Sequence, residues 1–518
     1  MTSLAETAPG ADTDARKTSP LVRLVSVAVV TLAVLYSAFL LYVSSQALFG
    51  AVLLALAVGI AIVFGLNRFY AFRFIFPGVA AVVMFILFPV VYTVYLGFTN
   101  YSSFNLLTYE RSVEVLMSRH MPDLGSEVRF AVAADGDMYR IWLPESGLLS
   151  GPIALAADAP AENAAMSAAA EPANLLAPRD ALALRAPLQK LTVVLPDGTI
   201  LQNSGLRTFA VVAREYERIA ENQLRRISDG AVLTADHDRG FFVTSDGETV
   251  PPGWRVFIGT TNFERIFNSS GIRDPMLSIF VWTFAFATLT VVFTFALGLA
   301  LASVLQWPHL SFKPVYRILL ILPYAVPAFI SILVFRGLFN QNFGEINLIL
   351  EMLFGARPQW FSDGNLAKVM IIIVNTWLGY PYMMLLAMGF LQAVPEDHKK
   401  AAALEGAGML RVFFTITLPQ ILPPFLPLLI ASFAFNFNNV VLILLLTRGL
   451  PDIPGTIIPA GQTDIVASFT YRIAFSDSAQ QFGLAGAITL LIFIVVGVIS
   501  YANFVTMRRA AEKRGAPQ

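Results

Sequence analysis

A chain of 518 residues that is 56% hydrophobic and only 14% charged, with a mean hydropathy of +0.66, lies outside the range of soluble globular proteins. Its 35 basic and 35 acidic side chains cancel, and no long basic tract offers a surface to nucleic acid. The absence of cysteine excludes disulfides, thiol catalysis and cysteine-based metal sites; the four histidines (His120, His237, His309 and His398) are too scattered for a ligand cluster, so no metal or cofactor is expected.

Residues 1–20 are polar and of mixed charge, a tail rather than a leader. The apolar run behind them is about twice as long as a signal h-region and lacks a small-x-small cleavage site, which marks a retained helix. About 20 apolar residues cross a hydrocarbon core roughly 30 Å thick. Eight stretches qualify: 21–44, 46–66, 74–97, 276–306, 314–338, 367–393, 419–447 and 484–505. The predicted fold is an α-helical polytopic membrane protein with eight transmembrane helices and a β-rich extracytoplasmic domain inserted between helices 3 and 4. Its plan is a tail (1–20), helices 1–3 (21–97), the inserted domain (98–275), a core of helices 4–8 (276–505) and a second tail (506–518).

Within 98–275, an excess of six acids (22 Asp and Glu against 16 Lys and Arg) accompanies the strand-like stretches VRFAVAADGDMYRIWLP, LQKLTVVLPDGTILQ and GFFVTSDGETVPPGWRVFIG. The last two carry Asp-Gly turn signals. Between the first two, ALAADAPAENAAMSAAAEPANLLAPRDALALRAP is rich in Ala and Pro and reads as a linker or insert. The domain as a whole is expected to dock a soluble partner.

Basic residues in the short loops set orientation. Arg16, Lys17, Arg23, Arg68, Arg73, Lys313, Arg317, Lys399, Lys400, Arg411, Arg508, Arg509, Lys513 and Arg514 all fall on one side when eight spans are counted, which puts both termini in the cytoplasm. No Asp or Glu falls inside a span, which argues against an ion-coupled carrier. No G-x-x-x-x-G-K-[ST] occurs either, so the chain has no P-loop ATPase of its own.

In the sixth span, NTWLGYPYMM (375–384) sets Gly379 and Pro381 where they are expected to interrupt the helix, beside Trp377, Tyr380 and Tyr382. The longest inner loop, VPEDHKKAAALEGAGMLRVFFTITLPQ, is predicted to form a helix from Pro395 that ends at Gly406 or Gly408, then a second short helix before Pro419 restarts the chain as a span. In the seventh span, ASFAFNFNNV places Ser432, Phe435, Asn436 and Asn439 within about 100° of one another on one helical face, with Asn438 pointing elsewhere. That face starts near the span's centre and runs roughly 9 Å outward. Aromatic faces plus amides suit a neutral sugar. Equally, Asn and Ser in membrane helices bond neighbouring helices, and Trp and Tyr mark the bilayer interface; the residues alone leave both readings open.

The stretch AAALEGAGMLRVFFTITLP resembles the "EAA" loop of ABC importer permeases, matching at Ala401, Ala402, Glu405, Gly406, Ile416, Leu418 and Pro419 and departing at Lys400, where the motif has glutamate. The stretches FIFPGVAAVVMFILFPVVYTVYLGFTNYSS, YRILLILPYAVPAFISILVFRGLFNQNFGEIN, ASFAFNFNNVVLILLLTRGLPD and GTIIPAGQTDIVASFTYRIAF are similar to the larger permease subunit of maltose/maltodextrin importers. That resemblance implies a multi-pass protein of the bacterial cytoplasmic (inner) membrane. Its implied partners are a second homologous permease, a homodimeric ABC ATPase, a soluble extracytoplasmic maltose/maltodextrin-binding protein and the lipid bilayer. It further implies a coupling loop at 394–418, with Lys400, Ala401, Ala402, Glu405, Gly406 and Ala407 at the ATPase. Sugar contacts are implied at Trp377, Leu378, Gly379, Tyr382, Ser432, Phe435, Asn436 and Asn439. Other neutral glycosides such as trehalose are alternative substrates.

Overall fold

The computed structural model describes residues 20–515 except 45, 137, 156–162 and 206. Nearly all of the tail 1–20, the end of the tail 506–518 and part of the Ala/Pro-rich stretch therefore lie outside the described residues. The chain divides into two compact units, Met1–Thr99 with Gly259–Gln518, and Asn100–Ile258.

The first unit is helical. Helices α1 (Pro20–Val43) and α2 (Ala47–Gly65) fold back on each other, with Gly50 against the Ala38 carbonyl. Helix α3 (Phe72–Gly97) loosens into a π-turn over Val83–Leu87, just ahead of Pro89. After Gly259 come α4 (Ser270–Gln306), α5 (Lys313–Ala325), α6 (Ala328–Leu338), α7 (Gly364–Gln392) and α8 (Glu396–Leu404). Then follow α9 (Met409–Phe437), α10 (Val440–Leu446) and α11 (Phe482–Gly515). Six of these, α1 to α4, α7 and α9, are long and apolar enough to cross a membrane; α5 and α6 qualify only as a pair bent by 91°. The apolar part of α11 is the shorter stretch Phe482–Val498.

Four expectations for this unit are corrected. The stretch 314–338 is not one helix: Pro327 pushes Val326 into extended backbone (φ −86°, ψ 131°), and the chain turns there. Gly379 and Pro381 do not interrupt α7, which runs unbroken for 29 residues. The stretch 419–447, expected to be continuous, instead breaks at Asn438 and Asn439. The segment MLRVFFTITL is no separate helix but the first turns of α9, where a π-turn at Phe413–Thr417 absorbs the donor that Pro419 lacks.

Helices α4 and α7 pack closely against each other. A Cβ on Gly298 would lie 2.7 Å from the Met384 backbone nitrogen, and one on Gly379 would lie 2.8 Å from Thr294 Cγ2. Small residues let the backbones approach, which is where membrane helices find their packing energy. Gly298→Ala is therefore expected to cost about 1–3 kcal/mol by overpacking, read as a lower thermal-unfolding midpoint of the detergent-solubilised chain. An unchanged midpoint would mean the helices part at no cost.

The second unit is β-rich. A nine-stranded sheet runs in the order His120–Pro122, Thr208–Arg214, Ile200–Asn203, Thr192–Val194, Asn163–Ala168, Leu148–Ser150, Met138–Leu143 and Ala131–Asp135, with Val128–Arg129 pairing beside Thr208–Arg214. All pairs are antiparallel except Asn163–Ala168 with Thr192–Val194. A five-stranded meander follows from Tyr216 to Val250. Gly198 and Gly247 take φ of +86° and +82° at the Asp-Gly turns 197–198 and 246–247. The Ala/Pro-rich stretch is no mere linker: Asn163–Ala168 lies inside the larger sheet with Ala164 and Met166 buried, and Pro178–Ala183 and Arg185–Leu188 are helical. Alternation of small buried and exposed side chains suffices for a strand when two neighbours supply the ladder.

Tyr216 is buried in the meander's core. Burial first, and then Glu215, pushes its phenol up to about 12. The folded chain thus keeps a proton that the unfolded chain gives up near pH 10, so stability is intact below pH 10 and falls between pH 10 and 12, by about 1.4 kcal/mol per pH unit. Tyr216→Phe should move the midpoint for alkaline loss of β-structure to higher pH; no shift would mean the phenol is not what titrates.

Candidate functional site: a polar cluster across three helices and two anchored loops

Asn436 is only 5% exposed, near the end of α9. Its Oδ1 accepts from Asn375 Nδ2 of α7 at 2.7 Å, and the same Asn375 nitrogen donates to Thr290 Oγ1 of α4 at 3.3 Å. The Asn436 amide nitrogen donates to the Ser432 carbonyl at 2.8 Å and to Ser432 Oγ at 3.4 Å. Three helices are thereby tied at one point, with the Asn436 amide bonded to protein on both sides. Asn375 and Thr290 complete the cluster and were not among the candidates. Asn375, the first residue of NTWLGYPYMM, stands in apolar sequence and could have been flagged; a membrane threonine carries little signal because its hydroxyl commonly bonds its own helix.

The other candidates are placed more variously. Asn439 caps α10 by accepting from the Leu442 amide at 3.4 Å. Asn438 is exposed and donates to Ala434 O within its own helix, so it joins no second helix. Phe435 is 70% exposed and Tyr382 is also exposed. The Trp377 ring meets Phe335 of α6 edge to face at 4.9 Å, Leu378 packs with the core around Trp282, and Gly379 faces Thr294. Of the eight candidates, only Ser432 and Asn436 are joined by a hydrogen bond.

On the loop before α9, Pro395 precedes α8 and Glu396 and Asp397 occupy its first, electropositive turn. Its end is a Schellman turn: the Ala407 amide donates to Ala402 O and the Gly406 amide to Ala403 O, both at 3.0 Å, with Gly406 at φ +79°. Lys400 pairs with Glu396 at 3.2 Å on its own helix, and Ala401 and Glu405 are exposed. Leu404 (90% exposed), Met409 and Leu410 surround this turn with uncovered apolar surface.

The loop after α10 is held by one buried carboxylate. Asp464 accepts from Arg472 Nη1 at 2.7 Å, the Gly461 amide at 2.8 Å and Ser468 Oγ at 2.8 Å, while Arg472 Nη2 reaches Asp452 Oδ1 at 2.8 Å. Burial pushes the Asp464 carboxyl above its ordinary value, against the pull of Arg472.

Residues 293–509 match the binding-protein-dependent transport system inner membrane component, and residues 107–259 match the P2 domain of the maltose transport system permease protein MalF. The maltose/maltodextrin transport system permease protein MalF of Salmonella typhi is 45% identical over 486 residues, 91% of this chain and 94% of that protein. The chain belongs to the MalF family. MalF of Vibrio cholerae serotype O1 is likewise 45% identical, over 90% of this chain and 91% of its own length. The solved structure of a bacterial ABC transporter involved in the import of the acidic polysaccharide alginate is similar with a TM-score of 0.42 at 19% identity, over 49% of this chain and 84% of that one. As a MalF-family member the chain is a multi-pass permease component of an ABC importer, a transport subunit. The inner-membrane match spans α7, α8 and α9, and the P2 match falls almost wholly within the β-rich unit.

Proposed function

We propose that this chain is the larger transmembrane subunit of an importer that carries maltose and maltodextrins inward by alternating access. The observation that carries the reading is 45% identity to MalF proteins running through both units of the chain. Counting the bent pair α5–α6 as one span and α11 as another gives eight, with both termini cytoplasmic. The β-rich unit would then be extracytoplasmic and would receive the soluble sugar-binding protein. A second, homologous permease completes the pathway, and a homodimeric ATPase, gripping α8 and the Schellman turn, hydrolyses the ATP.

The sugar site in this proposal is the face carrying Trp377, Leu378, Gly379, Tyr382, Ser432, Phe435, Asn436 and Asn439. Asn375 holds the Asn436 amide while the helices are together. When α9 parts from α4 and α7, sugar hydroxyls take over the bonds that Asn375 and Ser432 now make, so the amide is satisfied in both states. The backbone break at Asn438–Asn439 is the kind tolerated at membrane depth where it lines a cavity.

The test is labelled-maltose uptake into proteoliposomes holding the full complex and binding protein with enclosed ATP. Asn436→Ala is expected to lower uptake about ten-fold or more, as for one or two lost hydrogen bonds, while the complex purifies intact. Normal uptake would make Asn436 a purely structural residue. Wild type that ignores maltose but responds to another glycoside would change the substrate and keep the family.

A further inference from the structure

Lys368 stands five residues into α7, on the side facing α4, at the ends of these helices remote from the α8 loop. Its Nζ lies 5.1 Å from the centre of the Trp282 ring. Among the described residues no carboxylate pairs with it: Asp274, the acid on the same groove, is bonded to Arg273 at 2.9 Å. The groove holds about 570 Å³ and is lined by Asp274, Ser278, Leu277, Val281 and Ala285 of α4, by Trp282 at its floor and by Lys368. Leu277 and Val281 are each 60% exposed, so its apolar wall continues the outward surface of the helix.

We propose that this groove binds a membrane phospholipid by its phosphodiester. An ammonium half-sunk beside an indole near a helix end needs an anion it can reach without leaving the protein surface, and the phosphate of a neighbouring lipid lies at that depth. Ser278 adds a hydroxyl donor one helical turn from Asp274. The wall of Leu277, Val281 and Ala285 runs about 12 Å along α4, the direction of an acyl chain. A soluble anion would gain nothing from that wall, whereas an acyl chain packs along it by van der Waals contact as it does against its neighbours in the bilayer. This inference rests on the proposed membrane placement and not on the sugar site.

The experiment is native mass spectrometry of the intact transport complex, stripped and then supplied with phosphatidylethanolamine and phosphatidylglycerol. Wild type should retain one phospholipid more than Lys368→Ala, whose retention falls about ten-fold, as for one charge-assisted contact; Lys368→Arg should keep it, and Lys368→Met carries the comparison if the alanine variant fails to assemble. A photo-crosslinking residue at Val281 should yield a lipid adduct. Equal retention by Lys368→Ala or Lys368→Met, or an adduct to the partner permease, would overturn the proposal. Either result could accompany normal sugar uptake, so its failure is separable from that of the transport reading.

Discussion

Asp464→Ala is expected to leave little assembled permease at physiological temperature. The carboxylate is fully buried and is the main anion facing Arg472, itself 13% exposed at the side chain. Truncation strands that guanidinium with only the exposed Asp452, removes the acceptor for the Gly461 amide and leaves Ser468 Oγ with only the longer bond to the Ile465 carbonyl. Breaking one side of a buried pair costs about 3–5 kcal/mol, a large part of the roughly 5–15 kcal/mol that separates native from unfolded chains. Gly449 and Gly461 pack too tightly around this carboxylate for side chains to fill the space. The measurement is the yield of intact complex together with its thermal midpoint. A variant within about 1 kcal/mol of wild type would mean the loop is held mainly by its apolar contacts.

Gly406→Val is the substitution expected to hurt transport most while sparing the fold. The residue sits at φ +79° with open space around it, so the penalty is backbone strain and not a clash. A β-branched residue there costs about 1–2 kcal/mol. Relief comes from abandoning the Schellman bonds to Ala402 and Ala403, which re-aims Leu404, Met409 and Leu410 away from the surface that α8 offers. Sugar uptake should fall about ten-fold or more, since 1.4 kcal/mol at a docking surface already weakens it by that factor. ATP hydrolysis should lose its response to loaded binding protein. Gly408→Ala is the control: Gly408 has φ −66° and open space, so it should transport normally. If both variants transport normally, the turn does not set the coupling geometry.

Much of this architecture could be read one residue at a time. Long apolar runs located the membrane helices because a bilayer demands continuous hydrophobicity. Pro395 and Gly406 bounded α8 because a missing donor and a positive φ are local properties. The Asp-Gly pairs at 197–198 and 246–247 mark turns for the same reason. Which helix breaks was not local. Pro381 forfeits one hydrogen bond, and α7 still continues unbroken because the close packing of α4 supports it. At Asn438–Asn439 the side chains offer the backbone alternative partners, and the chain takes them. The alanine-rich strand escaped for a similar reason: its place in the sheet is conferred by Leu148–Ser150 and Thr192–Val194 on either side.

By itself, then, the sequence determined the membrane-embedded class, the β-rich insertion, the glycine turn that ends α8 and the MalF resemblance, all of which rest on hydropathy, local backbone preference and contiguous motifs. Only the tertiary structure decided what each polar group inside the bundle touches. Thr290, Asn375 and Asn436 meet across separations of 85 and 61 residues, Lys368 meets Trp282 on another helix, and Asp464 becomes a buried anchor because Arg472 folds back over it. A hydrogen-bond partner is a property of two elements packed together, and helical periodicity specifies only which face each element brings to that contact.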